Sequence, residues 1–175
     1  MSELYEWRAL LRSATDTEQL GRFIGQSLQG GEVLALYGEL GTGKTTLVRG
    51  IAAGLEVPPH IVNSPTFVLI HEYQGRVPLA HVDLYRIEAQ PELQHIGISD
   101  YLDGQTVVAI EWADKGLLEL PDNRFEVYLS HRSARTRKVI LRARGTAMRG
   151  LLARVLKQHE ALKAADSLQL ARPIR

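Results

Sequence analysis

The chain has no cysteine among its 175 residues. That excludes disulfides, thiolate zinc centres and cysteine nucleophiles, and leaves oxygen or imidazole ligands for any metal. Such donors favour magnesium over zinc. No run of about 18 apolar residues is present to cross a bilayer, and the opening stretch MSELYEWRALLRSATD is too polar and too acidic for a secretory signal. A cytoplasmic protein without membrane segments is expected. Also missing are a helical H-E-x-x-H, a G-x-S-x-G elbow and a G-x-G-x-x-G turn, which removes the zinc-protease, α/β-hydrolase and dinucleotide readings. Internal repeats and low-complexity linkers are absent too, so one compact domain is the default at this length.

Acidic residues are missing from one long stretch. Between Val127 and His159 there are nine Lys and Arg and no Asp or Glu. Residues 1–126 carry nine basic and eighteen acidic side chains, a balance of −9, and residues 127–175 carry twelve and two, a balance of +10. Two complementary surfaces of one domain account for this asymmetry, and so does a basic face for RNA or an acidic partner.

Thr15-Asp16-Thr17-Glu18 has the form of a capping box, with Leu20, Phe23, Ile24 and Leu28 following at helical spacing; a helix over about 16–28 is predicted. Gly30-Gly31 ends it. Val33 to Tyr37 is a short apolar run suited to a doubly buried strand. GELGTGKTT follows, and then Leu47, Val48, Ile51, Ala52 and Leu55 mark a second helix that stops near Gly54 and Pro58-Pro59. Phe67 to Tyr73 and Leu79 to Tyr85 read as a hairpin around Gln74-Gly75-Arg76, and Pro91 to Leu102 as a short helical region. Val107 to Ile110 is a buried strand ending at Glu111-Trp112. Phe125 to Ser130 and Val139 to Ala143 make two more strands, and a basic helix is expected from about Thr146 to Leu162, with the last ten residues frayed. This divides the chain into residues 1–145, the phosphate-loop domain, and residues 146–175, a basic helix or tail.

Gly38-Glu39-Leu40-Gly41-Thr42-Gly43-Lys44-Thr45 matches G-x-x-x-x-G-K-[ST] in full. Glycines let the backbone wrap so that successive N–H groups face phosphate oxygens, and the helix start adds positive potential. Lys44 would reach the β- and γ-phosphates, and the Thr45 hydroxyl would ligate Mg²⁺. Hydrolysis needs a further magnesium anchor and a group to orient water. Asp83 and Glu111 both stand at predicted strand ends, where ligands gather in open α/β sheets. Asn63-Ser64-Pro65-Thr66-Phe67 offers small polar side chains for a segment sensing the γ-phosphate, although an ordinary proline turn fits its spacing equally. Trp112 could pack on nucleotide or partner, or lie in the core. His81 beside Asp83 resembles half of a metal pair but lacks a third ligand, so a structural histidine is the better reading.

In this order and spacing, GELGTGKTTLVRG, VNSPTFVLIHEY, HVDLYRIE, GISDYL and IEWADKG closely resemble the TsaE (YjeE) family of small bacterial ATPases of tRNA threonylcarbamoyladenosine biosynthesis. The likeness covers about residues 13–145. It implies a compact, three-layer P-loop NTPase-like α/β fold with a mixed central sheet. It further implies an ATPase that supports formation of N6-threonylcarbamoyladenosine at position 37 of tRNAs reading codons that begin with adenine. The implied partners are TsaD, the transferase, and TsaB, with hydrolysis resetting their complex and tRNA contact direct or indirect. Carried onto matching positions, Gly38, Glu39, Leu40, Gly41, Thr42, Gly43, Lys44, Thr45 and Thr46 form the ATP loop, Thr45 and Glu111 bind Mg²⁺, and Asp83 is the catalytic carboxylate alongside Lys44 and Glu111. Ser64 to Thr66 would act as a switch, Ser13 to Thr17 would close one side of the base, and Arg137 the other. The family loop more usually reads GDLGAGKTT, so Glu39 and Thr42 depart from it while preserving the backbone cradle. A small-molecule kinase and a nucleotide-gated binding module share the loop; a kinase also needs an acceptor pocket and usually an arginine-bearing lid, and Arg132, Arg135 and Arg137 fall on a short turn.

Overall fold

A computed structural model describes residues 4–115 and 120–170. Its seven strands are β1 (Leu4–Leu11), β2 (Val33–Tyr37), β3 (Ile70–Tyr73), β4 (Leu79–Asp83), β5 (Val107–Glu111), β6 (Arg124–His131) and β7 (Arg137–Arg144). They form one sheet in the order β1-β7-β6-β2-β5-β4-β3. The centre, β6-β2-β5-β4, is parallel, and β1, β7 and β3 are added antiparallel at the two sides. The sheet is therefore mixed, as expected. Every residue of β4 and β5 is buried, which is why their sequences run apolar without alternation.

The helices α1 (Ala14–Ser27), α2 (Lys44–Gly54) and α4 (Thr146–Leu170) cover one face, where Leu20, Ile24, Leu47, Ile51, Phe125, Val127, Leu141 and Leu151 share a core. Over β2, β4 and β5 the other face carries a smaller cluster that includes Ala35, Val82, Ile98 and Ile110, with Ile96 of α3 (Gln90–Ile96) packed on it. A short 3₁₀ turn at Ile98–Tyr101 follows α3.

α1 and α2 touch through glycine. A Cβ on Gly21 would lie 2.2 Å from the Leu47 carbonyl oxygen, and one on Gly50 would lie 2.0 Å from that of Glu18. Only hydrogen fits at either place, so the two backbones are in contact and α1 is held against the start of α2.

Several expected boundaries move. The cap of α1 is Ser13, not Thr15: its hydroxyl accepts from the Asp16 N–H at 3.0 Å and donates to Asp16 Oδ1 at 2.9 Å. β1 ends at Leu11, so the chain turns two residues early, and the Thr17 hydroxyl goes to the Ser13 carbonyl instead. β1 itself had no counterpart among the expected elements. The first hairpin strand begins at Ile70 rather than Phe67, because the Val68 and Leu69 N–H groups both donate to the Pro65 carbonyl and close a turn. Its partner stops at Asp83, where Oδ1 accepts from the Tyr85 N–H at 2.8 Å.

α4 passes the expected end at Leu162 and continues to Leu170; no Gly or Pro interrupts residues 151–170. Met148, Leu151, Leu152 and Val155 are buried in the main core, and Arg154 donates to the Ser27 carbonyl at the end of α1. The start of this helix is thus integral to the fold; of the last ten residues, expected to fray, 166–170 continue the helix and 171–175 lie outside the described residues. Part of the charge asymmetry resolves across the sheet. Arg142 pairs with Glu6 at 2.6 Å and Arg144 with the buried Glu126 at 2.6 Å, while Arg124 reaches the same Glu126 along its own strand at 2.8 Å. Among the described residues no helix is long and apolar enough to cross a membrane.

Candidate nucleotide site

The parallel strands β2, β4 and β5 deliver the site from one edge. Leu36 and Asp83 both lie beside Glu111 in the strand register, so the glycine loop and the two carboxylates emerge together, as the strand-end rule anticipates. A cleft of about 380 Å³ is lined by Gly41, Gly43 to Thr46, Ser64, Thr66, Asp83, Tyr85, Glu111 and Trp112, with Leu40 at its mouth.

The loop takes backbone shapes that favour glycine. Gly38, Gly41 and Gly43 have φ of 146°, 77° and 103°. Gly43 caps α2 in the left-handed conformation, and the first-turn N–H groups of a helix have no acceptors within it. Gly38 has no room for a Cβ, which would come within 2.4 Å of the Leu129 carbonyl oxygen. Thr42 is buried, and its hydroxyl donates to the Glu39 carbonyl at 2.8 Å; the departure from the usual small residue thus adds an internal brace. Glu39 is exposed.

Lys44 is 4% exposed. Its ammonium donates to the carbonyls of Gly38 at 2.5 Å and Glu39 at 2.9 Å and sits 3.8 Å from the centre of the Trp112 ring. Burial pushes it below the ordinary lysine range, while the carboxylates of Glu111, Asp114 and Asp83 pull the other way. A cation held in this way gains most from an anion entering the cleft.

The Thr45 hydroxyl donates to Glu111 Oε1 at 2.8 Å. Glu111 is 3% exposed, and the same Oε1 accepts from His81 Nε2 at 2.8 Å. Because a hydroxyl has one proton, Thr45 keeps its lone pairs for a cation. Among the described residues no three His, Asp or Glu groups gather as a cage. A hydroxyl and a carboxylate beside a phosphate loop suit Mg²⁺, which takes one or two protein oxygens and completes its shell with phosphates and water.

Asp83 is 2% exposed. Its Oδ2 accepts from Ser64 at 2.9 Å and from Thr66 at 2.7 Å. One carboxylate therefore organises the segment whose sequence left the choice between sensor and proline turn open; the segment is a turn, and its hydroxyls lie in the cleft. Phe67, next to Thr66, is 87% exposed.

On the far side of the loop, Ser13, Thr17, Gly41 to Gly43, Thr46, Arg135 and Arg137 enclose a smaller recess of about 110 Å³. Arg137 Nη2 donates to the Gly41 carbonyl at 3.4 Å. Ser13 and Arg137 are thus brought to the loop, on a different side from Asp83 and Glu111. Sequence reasoning underrated three residues: Trp112 and Tyr85, whose rings meet at 4.9 Å with a tilt of 44° in the cleft wall, and His81. Trp112 has φ of 60°, a conformation rare for a bulky side chain that no residue pattern announces.

The family model described as threonylcarbamoyl adenosine biosynthesis protein TsaE matches residues 11–139. The tRNA threonylcarbamoyladenosine biosynthesis protein TsaE of Bacillus subtilis is 35% identical over 156 residues, 89% of this chain and 95% of that protein. The TsaE protein of a Nostoc species is 44% identical over 113 residues, 62% and 68% of the two chains. The crystal structure of YdiB from Bacillus subtilis superposes with a TM-score of 0.74 at 29% identity, covering 91% of this chain and 98% of that one.

Proposed function

This chain belongs to the TsaE family of threonylcarbamoyl adenosine biosynthesis proteins, and on that premise we propose that it is the ATP-hydrolysing accessory of tRNA threonylcarbamoyladenosine formation. It acts in the cytoplasm with TsaD and TsaB, and its hydrolysis resets that complex between turnovers. The observation that carries the reading is the meeting of Thr45 and Glu111 at 2.8 Å beside a full phosphate loop, with Asp83 in register on the next strand.

In this reading the loop amides from Gly38 to Thr46 hold the β- and γ-phosphates, and Lys44 exchanges its carbonyl contacts for phosphate oxygens. The chemistry that Mg²⁺ supplies when bound is neutralisation of charge on the two phosphates. Thr45 offers it a lone pair, and Glu111 offers it carboxylate oxygen. Ser64 and Thr66 leave Asp83 for the γ-phosphate, which frees Oδ2 to orient the attacking water. Ser13, Thr17 and Arg137 flank the base. Arg132, Arg135 and Arg137 remain on and beside the β6–β7 turn, which gives the kinase alternative no lid.

ATP hydrolysis by the purified chain, alone and with TsaD and TsaB, tests the proposal. Slow turnover that rises with the partners and vanishes in Lys44→Ala is expected. Hydrolysis that persists in Lys44→Ala would refute it.

A further inference from the structure

His81 has no part in the scheme above, yet it is the most completely buried ionisable side chain near the cleft, with 0% exposure. It lies on β4 opposite Ala109, two residues before Asp83, so on the shared face of two parallel strands it is the diagonal neighbour of Glu111. Its Nε2 is 2.8 Å from Glu111 Oε1. A carboxylate accepts and cannot donate when ionised, so Nε2 carries the proton. Nδ1 is buried with no hydrogen-bond partner. The bond to Glu111 is thus the hydrogen bond the ring makes within the described residues.

We infer that His81 is a positioning residue for the magnesium carboxylate. Its N–H and the Thr45 hydroxyl both end on Oε1 of Glu111, which sets the rotation of the carboxylate and leaves its other oxygen outside both bonds in a residue that lines the cleft. Thr45 cannot do this alone, because its hydroxyl turns about a single bond and sits on the loop helix. The imidazole is fixed in a strand and packed on all sides. Partners of this kind behind a metal ligand typically change metal affinity 10- to 100-fold when removed. The inference rests on the reading of Glu111 as a magnesium ligand.

The test is equilibrium binding of a fluorescent ATP analogue to the full chain, titrated with Mg²⁺ and repeated in EDTA. His81→Leu fills the space without a donor. His81→Gln places an amide N–H near the Nε2 position. His81→Asn carries the same group one bond short. The leucine and asparagine variants are expected to need about 10- to 100-fold more Mg²⁺ for half-maximal effect, with magnesium-free affinity unchanged, and glutamine to restore most of the parent response. If the leucine variant does not fold, the glutamine–asparagine pair decides alone. Equal Mg²⁺ midpoints in all three variants and the parent overturn the inference, as does a parallel loss of magnesium-free binding. A parent protein whose nucleotide affinity ignores Mg²⁺ overturns the site reading and this inference together.

Discussion

On one side of the cleft α1 and α2 meet backbone to backbone at Gly21 and Gly50, so the phosphate loop rests on parts that cannot separate without rebuilding two helices. On the other side residues 62–69 form no regular element; Val62 and the Leu69 carbonyl anchor their two ends, and between them Ser64 and Thr66 hold one carboxylate, Asp83, with Phe67 almost fully exposed beside them. Leu69 there has φ of 70°, a strained value for a branched residue. In the proposed reading the first wall stays in place while phosphate binds. The second would exchange a few hydrogen bonds of about 1–3 kcal/mol each, a cost that a phosphate group can offset. Binding should therefore depend on the first wall and turnover on the second.

Lys44→Ala breaks the fixed wall most severely. Removing a buried charged partner costs about 3–5 kcal/mol, so ATP affinity by calorimetry should fall at least about a hundredfold. Asp83→Asn probes the other wall; hydrolysis should drop by about a hundredfold or more while ATP affinity stays within a few-fold of the parent. Parallel losses in both quantities would erase the division between the walls.

Gly50→Ala attacks the fixed wall away from ligand. Overpacking of this kind costs about 1–3 kcal/mol, which lowers the melting temperature by roughly 2–12 °C in a chain of this size. A silent substitution would mean that the helices can part. Thr66→Val removes one hydroxyl from the adjustable wall and should reduce the preference for ATP over ADP, measured by calorimetry, about tenfold, the equivalent of about 1.4 kcal/mol.

The smallest effect concerns pH. Because burial lowers the Lys44 pKa, the free site loses that proton at a lower pH than an ordinary lysine does, whereas bound phosphate favours the protonated form. ATP affinity should decline as alkaline pH rises through the lowered pKa, with proton uptake on binding visible in buffers of different ionisation enthalpy.

The fixed wall was also the legible one. GELGTGKTT, the buried strand before it and the helix after it are contiguous, and the carboxylates stand at the ends of apolar runs that any reader can find. What escaped depends on distant partners. β1 alternates as a strand should, with Tyr5, Trp7, Ala9 and Leu11 inward, but Leu4 and Leu10 on its outer side blur the pattern, and it pairs with β7 across most of the chain. Gly21 reads as an isolated helix-weakening residue until Gly50 is placed against α1. His81 looks like an ordinary strand histidine because the carboxylate it serves lies on β5, far along the chain. The turn at Phe67 hides because two N–H groups share the Pro65 carbonyl, a choice that local propensity does not dictate.

The central claim, that hydrolysis at this cleft drives the tRNA-modifying complex through repeated cycles, is tested most directly by counting modified tRNAs per TsaD–TsaB complex in the presence of ATP. The parent chain should support many rounds, and Asp83→Asn should give no more than the complex reaches without this chain. Equal multiple turnover with the parent, with Asp83→Asn and with no added chain would contradict it.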